Sequence, residues 1–189
     1  MRFVDAPEYS PASTHIYCVL SFLDEECPTS RRRLSDLTGI GEGSIRSIIA
    51  VLKRWRVISV KQTGMTLTKS GRRLLENIPM KLIQVEKSEY VIGACQQGVL
   101  VKGVAEKIAK GTYLGDMKTI AGANGTSVFM IREERLIMPR NWDMDVRDPE
   151  FSRHLRDKGI EEGDAIIISG ASDIRVATIS AVSIALDLL

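Results

Sequence analysis

Apolar residues recur at spacings of three and four through Ile16, Val19, Leu20 and Leu23, a stripe that predicts an amphipathic helix capped by Ser13 and ending near Glu26, ahead of Pro28. Ser30 caps a second, short helix over 31–38 with Leu34 and Leu37 inward, and Gly39 suits its left-handed end. In a third helix, with Ser44 as cap, Ile45, Ile48, Ile49, Leu52 and Trp55 form one face and Arg46, Ser47, Ala50, Lys53 and Arg54 the other. The period then falls to two. Ile58 and Val60 alternate with Ser59 and Lys61, Gln62-Thr63-Gly64 turns, and residues 65–68 return as a second strand, which is a short β-hairpin. Thr68 or Ser70 opens a fourth helix, through Arg72, Leu74 and Leu75, that stops before Pro79.

Beyond Pro79 the pattern is mixed. Extended structure is expected over 81–86 and 89–95, and Val101, Val104, Ala105 and Ile108 then fall on one helical face before Gly111. A short helix over 114–121 leads to Gly122-Ala123-Asn124-Gly125, a turn signal, and residues 127–131 and 135–138 read as paired strands. Asp148 caps a helix with Pro149 at its first position. An apolar strand covers 164–169. From Ser172, Ile174, Ala177, Thr178, Ala181, Ala185 and Leu188 repeat at helical spacing, although their β-branched content leaves a partial strand as the alternative. The whole is an α+β protein in three parts: a loose arm over 1–12, a helical domain with a hairpin over 13–79, and an α+β domain over 80–189.

Charge sharpens that division. The net charge of +2 over 189 residues conceals a segment, 28–73, with eleven Lys or Arg against two acids, a local charge of +9; from residue 81 onward fourteen basic residues meet sixteen acidic ones. A basic block of this kind is the footprint of a polyanion partner, or a solvated face that happens to be basic. Aromatic residues make up 5% of the chain, too few for a surface that stacks single-stranded bases, and Trp55 belongs to an apolar stripe. No apolar run is long enough to span a bilayer and no signal segment opens the chain, so a cytoplasmic protein without a membrane partner is expected. Three cysteines, Cys18, Cys27 and Cys95, match no zinc or disulfide framework.

The helix, helix, turn, helix, hairpin, helix order is that of a winged helix-turn-helix, and the residues resemble that family over about 13–78. Ser44-Ile45-Arg46-Ser47 stands where its recognition helices carry a small polar, an aliphatic and two DNA-facing polar residues; Leu52, Val57-Ile58 and Leu67-Thr68-Lys69-Ser70-Gly71 match the positions around the wing. Arg56 departs from the pattern, since many members have glycine there. The resemblance implies duplex DNA as partner, with a recognition helix over about 43–55 in the major groove and a wing over about 57–68 on the backbone. Gly43, Ser44, Arg46 and Ser47 would meet base edges, Arg46 as the one long donor able to pair bidentately with guanine. Arg31, Arg32, Arg33, Lys53, Arg54, Lys61 and Lys69 would hold phosphates. A winged helix that serves as a protein-binding module is the competing expectation.

The glycines of TGIGEGSIRSII, Gly39, Gly41 and Gly43, also invite a nucleotide-binding reading. A dinucleotide fingerprint needs a strand before them and a Walker loop a Gly-Lys-Ser/Thr ending, and this stretch has neither. No catalytic motif accompanies the two histidines, His15 and His154, so a non-enzyme without cofactor or metal is expected. His15 with Cys18 and Cys27 is a weak candidate metal set, and Asp143, Asp145 and Asp148 read better as solvated loop and cap than as a cation site. The second half, with GVLVKGVAEKIAKGTYLGDMKTIAGANGTSVFMI and GDAIIISGA, resembles the C-terminal part of a two-domain archaeal family of uncharacterised proteins, whose second domain is similar in fold to the GAD domain of some aspartyl-tRNA synthetases. That resemblance bears on architecture; by analogy with regulators that carry a domain in this position, the second domain is expected to dimerise or to sense a ligand, and the protein to be a transcriptional regulator, sequence-specific for double-stranded DNA, as a homodimer and with a possible small-molecule effector. An RNA-associated, translation-linked adaptor is the alternative.

Overall fold

The computed structural model describes residues 10–23, 26–109, 122–139 and 142–189, and the chain divides between Ile78 and Pro79 into two compact units. Most of the expected arm and the expected helix over 114–121 lie outside the described residues, and the first helix ends at Ser21, short of the expected end near Glu26.

In the first unit, helices α1 (Ser10–Ser21), α2 (Arg31–Thr38) and α3 (Glu42–Arg54) precede a two-stranded antiparallel hairpin, β1 (Ile58–Lys61) with β2 (Gly64–Leu67), and α4 (Lys69–Asn77) follows. The helix α1 begins before Ser13 and takes in residues 10–12 of the expected arm. Pro11 does not prevent this, because the first turn has no partner for the proline's missing N–H. The stripes predicted from sequence meet in one core, where Leu20, Leu34, Ile45 and Leu52 are fully buried and Trp55, Leu74 and Leu75 pack at its border.

Side chains fix the α2–α3 turn. Ser30 accepts from the N–H of Arg33 at 3.1 Å, and Gly39 takes a left-handed φ of 71°. The Thr38 hydroxyl donates to Leu34 O at 2.7 Å and accepts from the Ile40 N–H at 3.2 Å, while Ser35 Oγ donates to Ile40 O at 2.7 Å. The cap of α3 is Gly41 and not Ser44, which sits inside the first turn. Ile40, buried beside the core, sets where the chain must turn inward, and that places the helix start three residues earlier than capping chemistry alone suggests. At the other end Arg56 N–H donates to Lys53 O and Val57 N–H to Leu52 O, the paired bonds of a Schellman ending, with Arg56 itself left-handed at φ 58°. The bend made by glycine in related sequences is thus made here by arginine.

The second unit is a six-stranded antiparallel sheet of order β3-β4-β8-β5-β6-β7, built from β3 (Met80–Ile83), β4 (Cys95–Val101), β5 (Gly125–Arg132), β6 (Arg135–Met138), β7 (Trp142–Asp143) and β8 (Ala165–Ala171). The central strand β8 is buried throughout. Its Ile166 and Ile168 join Phe129, Phe151 and Leu155 on the face covered by helices α6 (Met144–Arg147) and α7 (Pro149–Arg156). The helix α8 (Ile174–Leu188) packs on β4 and β8 from the opposite face, and α5 (Ala105–Ala109) is tied to its end through Lys107, whose ammonium donates to Leu188 O at 2.9 Å. The final segment is therefore helical throughout; its small residues Ala177, Ala181 and Ala185 let it lie close to the sheet.

Two expectations fail here for physical reasons. Val101 ends β4 and only Val104, Ala105 and Ile108 lie at or in the short helix, because Val99–Val101 complete a ladder with β8 that periodicity cannot show. Residues 89–94 form a strap and no strand: Gln96 satisfies its backbone in place of a ladder, accepting from Ser88 N–H and donating to Ser88 O and Val91 O. The strap lies so close to β8 that a Cβ on Gly93 would stand 2.4 Å from Ala171 N, and one on Gly170 2.4 Å from Ile92 O.

Candidate nucleic-acid interface

The inward residues of α3 leave one stripe of the helix in solvent. Ile45, Ile48, Ile49 and Leu52 are buried, and Gly43, Ser44, Arg46, Ser47, Ala50, Lys53 and Arg54 are exposed. Arg46 and Lys53 stand seven residues apart, two helical turns along one side, roughly 10 Å of helix axis. Ser47 Oγ donates back to Gly43 O at 3.3 Å, so it offers its oxygen as an acceptor. Neither Gly41 nor Gly43 would bring a Cβ within 4 Å of another group, and neither has a positive φ. At the start of a helix such a glycine pair leaves the first N–H groups open to an approaching anion.

The phosphate candidates occupy three further places. Arg31, Arg32 and Arg33 form the first turn of α2 and are all exposed, but successive helical positions are about 100° apart, so the three guanidinium groups splay around the axis. Lys61 closes β1 and Lys69 opens α4, whose cap Thr68 accepts from Gly71 N–H at 3.1 Å. Gly71 is required by the fold: its Cβ would stand 2.1 Å from Val57 O. The wing is bound to the start of α2, since Thr29 and Met65 exchange two backbone hydrogen bonds of 2.9 Å. That bridge fixes the positions of Lys61 and of Arg31–Arg33 relative to one another.

Electrostatically the surface is unspent. None of the eight cations Arg31, Arg32, Arg33, Arg46, Lys53, Arg54, Lys61 and Lys69 forms an ion pair among the described residues. Cations left without carboxylates hold their charge for an external partner. Sequence reasoning missed Gly41, because Ser44 offered a better-known cap, and Val60, expected to alternate with polar neighbours but 44% exposed on the wing.

The other candidates have structural tasks. Burial pushes the Cys18 thiol up to about 12, so it stays protonated and is no metal ligand at neutral pH, and burial also holds His15 below its ordinary value. Among the described residues no three His, Cys, Asp or Glu side chains gather in a metal-holding group. Asp143 caps α6 and Asp148 caps α7, and Asp145 accepts from Leu136 N–H, Ser152 and Arg156. The expected cap at Asp148 is present, while Asp143 and Asp145 are bound into the fold and the expectation of a solvated loop for them is corrected.

A three-helix unit that turns an unpaired basic stripe outward from its third helix and closes with a hairpin wing defines the class of winged helix-turn-helix DNA-binding domains, here followed by an antiparallel α+β unit. Comparison with known proteins agrees: residues 14–82 match the model of the CggR N-terminal DNA binding domain. Residues 92–188 match the family described as Domain of unknown function (DUF4443), and the chain belongs to that family. A solved structure of similar fold, the hypothetical protein PH0730 from Pyrococcus horikoshii OT3, superposes with a TM-score of 0.72 at 22% identity, over 96% of this chain and 93% of that one. No curated protein matches the chain. Among the described residues no helix is long and apolar enough to cross a membrane.

Proposed function

We propose that the protein is a transcriptional regulator that binds double-stranded DNA at particular sites and has no enzymatic activity. The helix α3 enters the major groove with Gly43, Ser44, Arg46 and Ser47 at base edges, the first turn of α2, Lys53, Arg54 and the wing hold phosphates, and the second unit dimerises the protein or senses a ligand. The carrying observation is the solvent-facing basic stripe of α3, without an ion pair among the described residues, within a segment of charge +9. An arginine on such a stripe can pair bidentately with guanine, a contact worth about 1–3 kcal/mol of discrimination.

Selection of bound fragments from genomic DNA tests this directly. The expected outcome is an enriched duplex site, with Arg46→Ala weakening its binding by about tenfold or more and flattening the preference at one base pair. Binding confined to folded RNA and unaffected by Arg46→Ala would instead support a translation-linked adaptor.

A further inference from the structure

The second unit contains a cavity of about 320 Å³ on the outer part of its sheet, lined among the described residues by Arg132, Glu133, Arg135, Ile137 and Asp143. Small-molecule sites begin at about this size, roughly 300 Å³. The register explains how the lining converges. Arg132 on β5 and Arg135 on β6 are direct cross-strand partners, and Ile137 on β6 pairs with Asp143 on β7, so all four side chains rise from the same face of the sheet. A two-residue turn with both members left-handed, Glu133 at φ 53° and Glu134 at φ 64°, joins β5 to β6. The carboxylate of Glu162 accepts both turn N–H groups, at 2.9 and 3.0 Å, and so fixes the separation of the two arginines.

Like charges directly opposite on a sheet destabilise it. Here two arginines are direct partners across a hairpin, and each is ion-paired with a carboxylate of another element. Arg132 Nε lies 3.2 Å from Glu106, which is 68% exposed, and Arg135 lies 3.6 Å from Asp143, beyond hydrogen-bonding distance. One oxygen of Asp143 is already occupied in capping α6. Each guanidinium turns one nitrogen to its carboxylate, Arg132 its Nε and Arg135 its Nη1, and keeps its other N–H donors beside a cavity with an apolar wall at Ile137.

We propose that this cavity binds a small anionic metabolite through a carboxylate or phosphate group held between Arg132 and Arg135. Carboxylate and phosphate oxygens both match the guanidinium fork, and a group placed between the two cations is held by donors of both. This deepens the sensing role proposed for the second unit by giving it a site and a ligand class. It uses residues of that unit alone, so it stands or falls separately from DNA binding through Arg46.

Calorimetric titration of the full chain with inorganic phosphate and, separately, with malonate tests the proposal and distinguishes the two anion classes. Saturable binding of one anion per chain in the millimolar range or tighter is expected for at least one probe, weakened tenfold or more by Arg132→Gln and by Arg135→Gln. The unliganded Arg135→Gln protein is expected to melt at the same or a higher temperature than the parent, because the opposed charge is gone. Failure of both probes to bind the parent overturns the proposal, as does binding that survives in Arg132→Gln/Arg135→Gln and is lost in Arg31→Gln/Arg32→Gln/Arg33→Gln. A lowered melting temperature for unliganded Arg135→Gln also overturns it, since the arginine would then serve the fold.

Discussion

Gly43 is costly where it stands. It occupies the first turn of α3 with a negative φ and open space around its missing Cβ, so nothing in the fold demands it. Alanine there should stabilise the protein by about 0.5 kcal/mol, by restricting the unfolded chain. The same methyl would stand between the helix start and a base edge, and DNA affinity should fall several-fold; paired denaturation and binding curves for Gly43→Ala check both signs. Arg56 presents the reverse case. A left-handed arginine closes α3 where glycine would be free of strain, and Arg56→Gly should raise the stability by roughly 0.5–1 kcal/mol in a urea titration. The sequence shows Arg56 as an irregular residue within a familiar pattern, and the two Schellman bonds show that the bend persists regardless of it.

At the scale of elements, the parts governed by neighbouring residues were legible beforehand. Ser30 and Gly39 delimit α2, Asp148 and Pro149 open α7, and the apolar spacing of α3 identifies its inward face, all through contacts within a few residues. What depended on distant partners was not legible. The strap before β4 is defined by Gln96 and by the close passage of Gly93 over β8, and the opposed pair Arg132 and Arg135 exists only in a ladder register. Asp145 is a third such case. Burial works to raise its carboxyl, but hydrogen bonds from Arg156, Ser152 and the Leu136 N–H outweigh it and hold the group below its ordinary value of 3.8. A depressed folded-state value means stability that is present above 3.8 and lost as pH falls through the lower, folded value. Asp145→Asn should therefore be less stable than the parent at pH 7, and the difference should close as thermal melts are taken to pH values below 3.8.

For the whole molecule, the uneven distribution of charge governs behaviour more than its total. A net charge of +2 would suggest weak response to salt, yet the segment 28–73 alone carries +9. With about six phosphates neutralised, the logarithm of the DNA association constant should fall against that of salt concentration with a slope near −5. Anisotropy titrations between low and physiological salt measure it, and a slope near zero would mean that the basic segment is not the contact surface. The second unit, which holds fourteen basic against sixteen acidic residues from position 81 onward, should add little to that slope.

The hydroxyls of Ser35 and Thr38 bind the turn between α2 and α3 into a single conformation before any partner arrives. The ordering of that turn is completed during folding, so complex formation does not have to freeze it. Its time course is then set by how often DNA and protein collide in register, and the charges that hold the complex together also determine how quickly it forms.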